Sequence, residues 1–103
     1  ISSDEAIESL SALVKMNIYR IIQETLNNIN KHAKATLISI TLSIDEGFLY
    51  LSIKDNGVGF KVSKLKSGIG LKNMESRAVS INGRLKISSE INKGTKVSLK
   101  VKL

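Results

Sequence analysis

The sequence predicts an α+β domain: a two-layer sandwich with helices on one face of a mixed, mostly antiparallel sheet. Three observations lead there. The stretch of about Lys15–Ala33 carries apolar residues at helical spacing. Four later runs are apolar, β-branched and separated by turn residues. Between the two strand pairs lies a glycine-rich stretch followed by a further helical segment, so the order reads α-α-β-β-loop-α-β-β.

The 103 residues suit one domain with one hydrophobic core. The first segment, Ser3 to about Val14, has the weaker helical pattern, with Ser3 or Asp4 as its cap and Glu5 and Glu8 near its positive end. In the second helix Ile18, Ile22, Leu26, Ile29 and Ala33, joined by Ile21 and Thr25, recur at offsets of three and four and define an apolar stripe. Leu37–Ile44 and Phe48–Lys54 form a hairpin around Asp45-Glu46-Gly47. Another helix, about Leu71–Ile81, stops at Asn82-Gly83. Arg84–Ser89 and Thr95–Leu103 make a second hairpin around Asn92-Lys93-Gly94.

Composition narrows the function classes. There is no cysteine, hence neither a disulfide framework nor a thiolate metal site, and His32 is the single histidine. No apolar run approaches the roughly 20 residues of a membrane span. A net charge of +7 raises nucleic acid and nucleotide phosphates as partners. From Arg84 onward, however, the basic residues Lys86, Lys96, Lys100 and Lys102 stand beside apolar ones, as on the wet face of a half-buried sheet. The aromatics Tyr19, Phe48, Tyr50 and Phe60 are too sparse for a base-stacking platform, and nucleic acid is not expected as a partner.

Four constellations carry chemistry. Glu24, Asn28, Lys31 and His32 fall on one stripe at the edge of the apolar face of the second helix. A carboxylate, an amide oxygen and a cation there suit a base, Mg²⁺ and phosphate; the same spacing suits ordinary helix-surface pairs. Asp55-Asn56-Gly57-Val58-Gly59-Phe60 follows a strand directly. A carboxylate at a strand end can accept from the exocyclic amine of adenine and would repel the carbonyl of guanine, although a turn-favouring connection has the same composition. Gly68-Ile69-Gly70-Leu71 stands before a helix, where free N–H groups and the helix dipole favour phosphate, and Lys61, Lys64, Lys66 and Lys72 bracket it. Gly94-Thr95 opens the last strand with a hydroxyl that could complete a polar ring around a base.

In this order and spacing the four pieces resemble the GHKL superfamily of ATPases, which includes DNA gyrase, the large ATP-dependent heat-shock chaperones, histidine kinases and the mismatch-repair ATPases. Gln23–Ala33 resembles the N box, DNGVGF at Asp55–Phe60 the first glycine box, and GIGL at Gly68–Leu71 the second. The runs YRIIQETLNNINKHAKA, GIGLKNMESRA and NGRLKISSEINKGTKVSLKVKL are similar to histidine kinases that pair with NarL/LuxR-type response regulators.

The resemblance implies the Bergerat ATP-binding fold, ATP and Mg²⁺ as ligands, and transfer of the γ-phosphoryl group to a histidine for relay to a response regulator. It implies that Glu24 is the general base, Asn28 the Mg²⁺ ligand, and Lys31 with His32 the phosphate contacts. By the same token Asp55 reads adenine, Gly57 and Gly59 give the base and sugar room, and Gly68 and Gly70, with Leu71 closing the box, hinge a lid over the phosphates; Thr95 supports the adenine end. Residues 1–14 are expected to be a helical remnant leading to an absent dimerisation and phosphoacceptor domain, and residues 15–103 the catalytic domain. The piece is expected to be monomeric and cytoplasmic, in a parent that a membrane anchor would suit. Competing readings are an anti-sigma-factor-type serine kinase, which shares the boxes, and a non-catalytic nucleotide-binding module.

Overall fold

A computed structural model describes residues 8–32, 37–57, 69–90 and 92–103, the side chains of 29–32, 69–70 and 90 aside. Among these residues two helices and four strands follow in the order α1 (Ala12–His32), β1 (Ile38–Asp45), β2 (Phe48–Asp55), α2 (Ile69–Ser80), β3 (Gly83–Glu90) and β4 (Gly94–Lys102). The strands lie side by side as β1-β2-β4-β3, and all three pairings are antiparallel.

α1 begins three residues before the expected Lys15, which takes Leu13 and Val14 out of the first segment and into this helix. Ser11 sets the start: its Oγ accepts from the Val14 N–H at 3.2 Å and its carbonyl from Lys15 N–H at 3.0 Å. Glu8–Leu10 lie outside α1, and the proposed caps Ser3 and Asp4 fall outside the described residues. The β1–β2 turn has positive φ at both Glu46 and Gly47, the mirror-image turn whose twist matches the flanking strands.

One face of the sheet meets the helices. β2 contributes Leu49, Leu51 and Ile53 and β4 contributes Val97, Leu99 and Val101, all buried. α1 sets Ile18 and Ile21 against them, and α2 sets Leu71, Met74 and Ala78. At about 1.5–3 kcal/mol per buried aliphatic side chain, this cluster is the main source of stability. The buried ridge of α1 runs through Ile18, Ile21 and Thr25, while Ile22 and Leu26 are half-buried, so the helix is rotated slightly from the expected stripe. The reason is α2: Thr25 Oγ1 lies 3.5 Å from Met74 Sδ and donates to the Ile21 carbonyl at 2.8 Å, so a threonine can sit in the seam with its hydroxyl satisfied.

Candidate functional site

Along the helix-facing side of the sheet the cross-strand rows are apolar until the last. The antiparallel registers align Leu51, Leu99 and Leu85, then Ile53, Val97 and Ile87, and finally Asp55, Thr95 and Ser89. A row of carboxylate and two hydroxyls thus closes a hydrophobic face.

Asp55 is 8 % exposed. Its Oδ1 accepts from the Gly57 N–H at 2.7 Å, a local turn that holds the carboxylate in one orientation. Its Oδ2 is buried and has no hydrogen-bond partner among the described residues. Leaving a buried carboxylate oxygen unmatched costs about 1–3 kcal/mol or more, so a donor is called for at that point. Beside it Ser89 Oγ donates to the Gly94 carbonyl at 3.2 Å and lies 2.9 Å from Thr95 Oγ1. With the Ser89 proton on Gly94, the Thr95 proton goes to Ser89 and the Thr95 oxygen keeps lone pairs for an incoming donor. Asp55, Ser88, Ser89, Lys93, Thr95 and Lys96 are among the residues lining a recess of about 380 Å³.

Backbone geometry makes the corner possible. Gly94 has φ +96°, and a Cβ there would run into the Asp55 carbonyl, so only glycine lets β4 start this close to the end of β2. Asn56 pins the other side: its Oδ1 accepts from Leu37 N–H at 2.9 Å, and its own N–H donates to the Leu37 carbonyl at 3.2 Å.

On α1 Glu24 and Asn28 are both half-buried, flanking the buried Thr25 as a boundary stripe requires. Glu24 shares a polar cleft of about 130 Å³ between α1 and α2 with Arg20, Asn27, Asn73, Met74 and Arg77. Both arginines there already meet neutral oxygens, Arg20 at Gln23 Oε1 (3.3 Å) and Arg77 at Asn17 Oδ1 (3.5 Å). Among the described residues Glu24 is therefore not locked in an ion pair.

Of the residues expected from sequence, the structure brings Asp55, Gly57 and Thr95 to one corner and puts Glu24 and Asn28 on the edge of α1. Gly70 lies in the first turn of α2, and Leu71 packs in the core at 5 % exposure, where it seats that helix. The side chains of Lys31 and His32, together with Gly59 and Gly68, fall outside the described residues. Sequence reasoning passed over Ser89, Asn56 and Arg77. Only Ser89 left a trace, because the pair Ser88-Ser89 breaks the apolar alternation of β3.

Compared with known families, residues 14–103 match the profile of the histidine kinase-, DNA gyrase B- and HSP90-like ATPases. The chain belongs to this ATPase family. Its relatives within the family include the sensor histidine kinase LiaS of Bacillus subtilis, 38% identical over 94 residues that make up 90% of this chain and 26% of that protein. The oxygen sensor histidine kinase NreB of Staphylococcus carnosus is 38% identical over 86 residues, 82% of this chain and 25% of that protein. The chain therefore spans about a quarter of the length of these relatives. The fold agrees as well. The histidine kinase domain of the blue-light activated kinase of Erythrobacter litoralis superposes with a TM-score of 0.78 at 18% identity, over 88% of this chain and 45% of that one. The Acinetobacter baumannii histidine kinase AdeS does so at 0.71 and 20% identity, over 84% and 46%. The ATPase-family domain expected from the two glycine boxes and the N box is thus present, built on the expected α+β sandwich. Among the described residues no helix is long and apolar enough to cross a membrane.

Proposed function

We propose that this domain is the ATP-binding catalytic part of a two-component sensor histidine kinase, delivering the γ-phosphoryl group of ATP to a histidine on a dimerisation domain for relay to a NarL/LuxR-type response regulator. The observation that carries the reading is the buried Asp55 Oδ2, which has no partner among the described residues, on the strand position opposite Thr95. An exocyclic amine satisfies a carboxylate oxygen and a hydroxyl oxygen together, whereas the guanine carbonyl at the same position is repelled by the carboxylate. The similarity of the chain to sensor histidine kinases supports the rest.

In this reading Asp55, held by Gly57, binds the adenine amine, Thr95 accepts beside it, and Gly59 leaves room for the base and sugar. Asn28, half-buried on the rim of α1, would hold Mg²⁺ through its amide oxygen, with Lys31 and His32 at the phosphates. Bound there, Mg²⁺ neutralises charge on the phosphate oxygens. Glu24 takes up the proton of the acceptor imidazole, and Gly68 and Gly70 let the segment before α2 close over the phosphates. Residues 1–14 lead toward the acceptor domain and residues 15–103 form the catalytic unit, which is monomeric and cytoplasmic.

Calorimetric titration with ATP and GTP, each with and without Mg²⁺, tests the reading. Saturable ATP binding strengthened by Mg²⁺, with none for GTP, is expected. No ATP binding tighter than about 1 mM would overturn it. Glu24→Gln is expected to spare ATP binding while reducing phosphorylation of an acceptor domain added in trans.

A further inference from the structure

The side of the sheet that the helices leave bare has a character of its own. By the strand registers it carries Phe48, Tyr50, Ser52 and Lys54 on β2, Lys96, Ser98, Lys100 and Lys102 on β4, and Arg84, Lys86 and Ser88 on β3. Six of the 16 lysines and arginines of the chain therefore project from one face, and all six are exposed. Two carboxylates fall on this face by register, Asp45 at the outer end of β1 and Glu90 at the end of β3, and among the described side chains none of the six cations pairs with a carboxylate.

The placement is costly to the fold. Lys54 stands directly opposite Lys96, and Arg84 directly opposite Lys100. Like charges facing each other across a strand pair destabilise it, and on exposed sites any neutral polar residue would relieve the cost. Two such pairs side by side are the mark of a surface shaped for something other than stability.

The surface is also hollow. At its centre Ser52 lies opposite Ser98, two short side chains among long ones. Their row forms the floor of a trough of about 590 Å³ whose walls include Tyr50, Arg84, Lys86, Lys96 and Lys100. Through Arg84 and Lys100 the trough continues into a second recess of about 850 Å³ at the far end of the sheet, bordered by Phe48, Lys102 and Leu103. These two recesses are larger than the one beside Asp55, and α1 contributes to neither.

We infer that this bare sheet face docks an extended, carboxylate-rich segment of a partner protein, lying along the serine-floored trough between the two like-charge pairs. From the Lys96 row to the Lys102 row is six residues of strand, about 20 Å, which an extended segment of similar length covers. Hydroxyls on the floor donate to its backbone or carboxylates, and the cations on the walls match its charge. The aromatic groups disfavour single-stranded nucleic acid: Lys100 Nζ sits 4.5 Å from the centre of the Phe48 ring and 5.7 Å from that of Tyr50, so the rings already hold a cation and are not open to stack bases. A lipid surface is disfavoured by the trough, whose serine floor a bilayer cannot reach.

The test is fluorescence anisotropy of the 103-residue chain with a labelled oligo-glutamate peptide, run beside oligothymidylate of equal charge and vesicles of phosphatidylcholine and phosphatidylglycerol in equal parts. The peptide is expected to bind more tightly than either. The double variant Lys86→Glu with Lys96→Glu is expected to weaken it by about tenfold, and Lys15→Glu, half that change of charge placed on α1, by less than about twofold. Lys96→Glu alone puts a carboxylate opposite Lys54 and is expected to raise the melting temperature. Equal loss in Lys15→Glu, tighter binding of vesicles or oligothymidylate, or a lower melting temperature in Lys96→Glu would each overturn the inference. ATP affinity plays no part in these readouts, so they stand apart from the fate of the nucleotide site.

Discussion

Two parts of the same sheet face, a few ångströms apart, are built to opposite rules. In the rows of Leu51 and Ile53 the side chains of β2, β4 and β3 that face the helices are all apolar and belong to the core cluster or pack against it. One row further on, Asp55, Thr95 and Ser89 occupy equivalent positions on the same three strands, with a buried oxygen that is unmatched among the described residues. The difference shows how one sheet face can carry both a core and a polar corner. The apolar rows supply the rigidity, and the last row converts that rigidity into a carboxylate held in one place. An orphaned acceptor is tolerable only because the rows behind it hold the fold by a margin of several kcal/mol.

Perturbations should separate the two parts. The largest effect is expected from Ile53→Ala, in the apolar row next to the site: a loss of about 2–5 kcal/mol in chemical denaturation, with ATP affinity of the remaining folded fraction little changed. A change in affinity with stability intact would break the division between the rows. Gly94→Ala comes next. Its Cβ meets the Asp55 carbonyl and its φ is left-handed, so both stability and ATP binding should fall, by about 1–3 kcal/mol of unfolding free energy. It is the substitution that couples the two parts. Asp55→Asn should do the reverse of Ile53→Ala, weakening ATP binding by about tenfold with an unchanged or slightly raised melting temperature, since a buried charge with an unmatched oxygen is removed. Unchanged affinity in the folded variant would mean that Asp55 does not read the base. The smallest effect is expected from Ser89→Ala, which frees the Thr95 hydroxyl to rotate: a loss of roughly threefold in ATP affinity, within the range of one neutral hydrogen bond, checked by the same titration.

Much of this was legible in the residues. Asp45-Glu46-Gly47 and Asn82-Gly83 mark where the backbone turns, and the structure has left-handed φ at Glu46, Gly47 and Asn82. The strand borders lie within a residue of expectation, because alternation and turn chemistry are local properties. The start of α1 was harder. The pattern pointed to Lys15, but a capping hydroxyl at Ser11 adds a turn, and in a serine-rich stretch several residues could have served. The buried ridge of α1 was displaced for a non-local reason, since α2 sets Met74 against Thr25, whose hydroxyl is already satisfied within α1 by the Ile21 carbonyl. At the candidate site, Asp55 and Thr95 were singled out from their motifs, and the register sets them opposite each other. Ser89 and Arg77 were not singled out, because their positions near those residues come from the strand and helix that lie beside them.

By itself the sequence determined the elements, the turns, the family and the residue types that a nucleotide needs, since each of these rests on neighbours within a few positions. Tertiary structure decided which residues share a row. It set Asp55 opposite Thr95, and Thr95 beside Ser89, from three strands distant in the chain, and it buried one carboxylate oxygen that finds no donor among the described residues. It also gathered six dispersed cations onto the bare face, where two pairs stand directly opposite each other. Registers between strands are fixed by the packing of the whole core, and no local pattern encodes them.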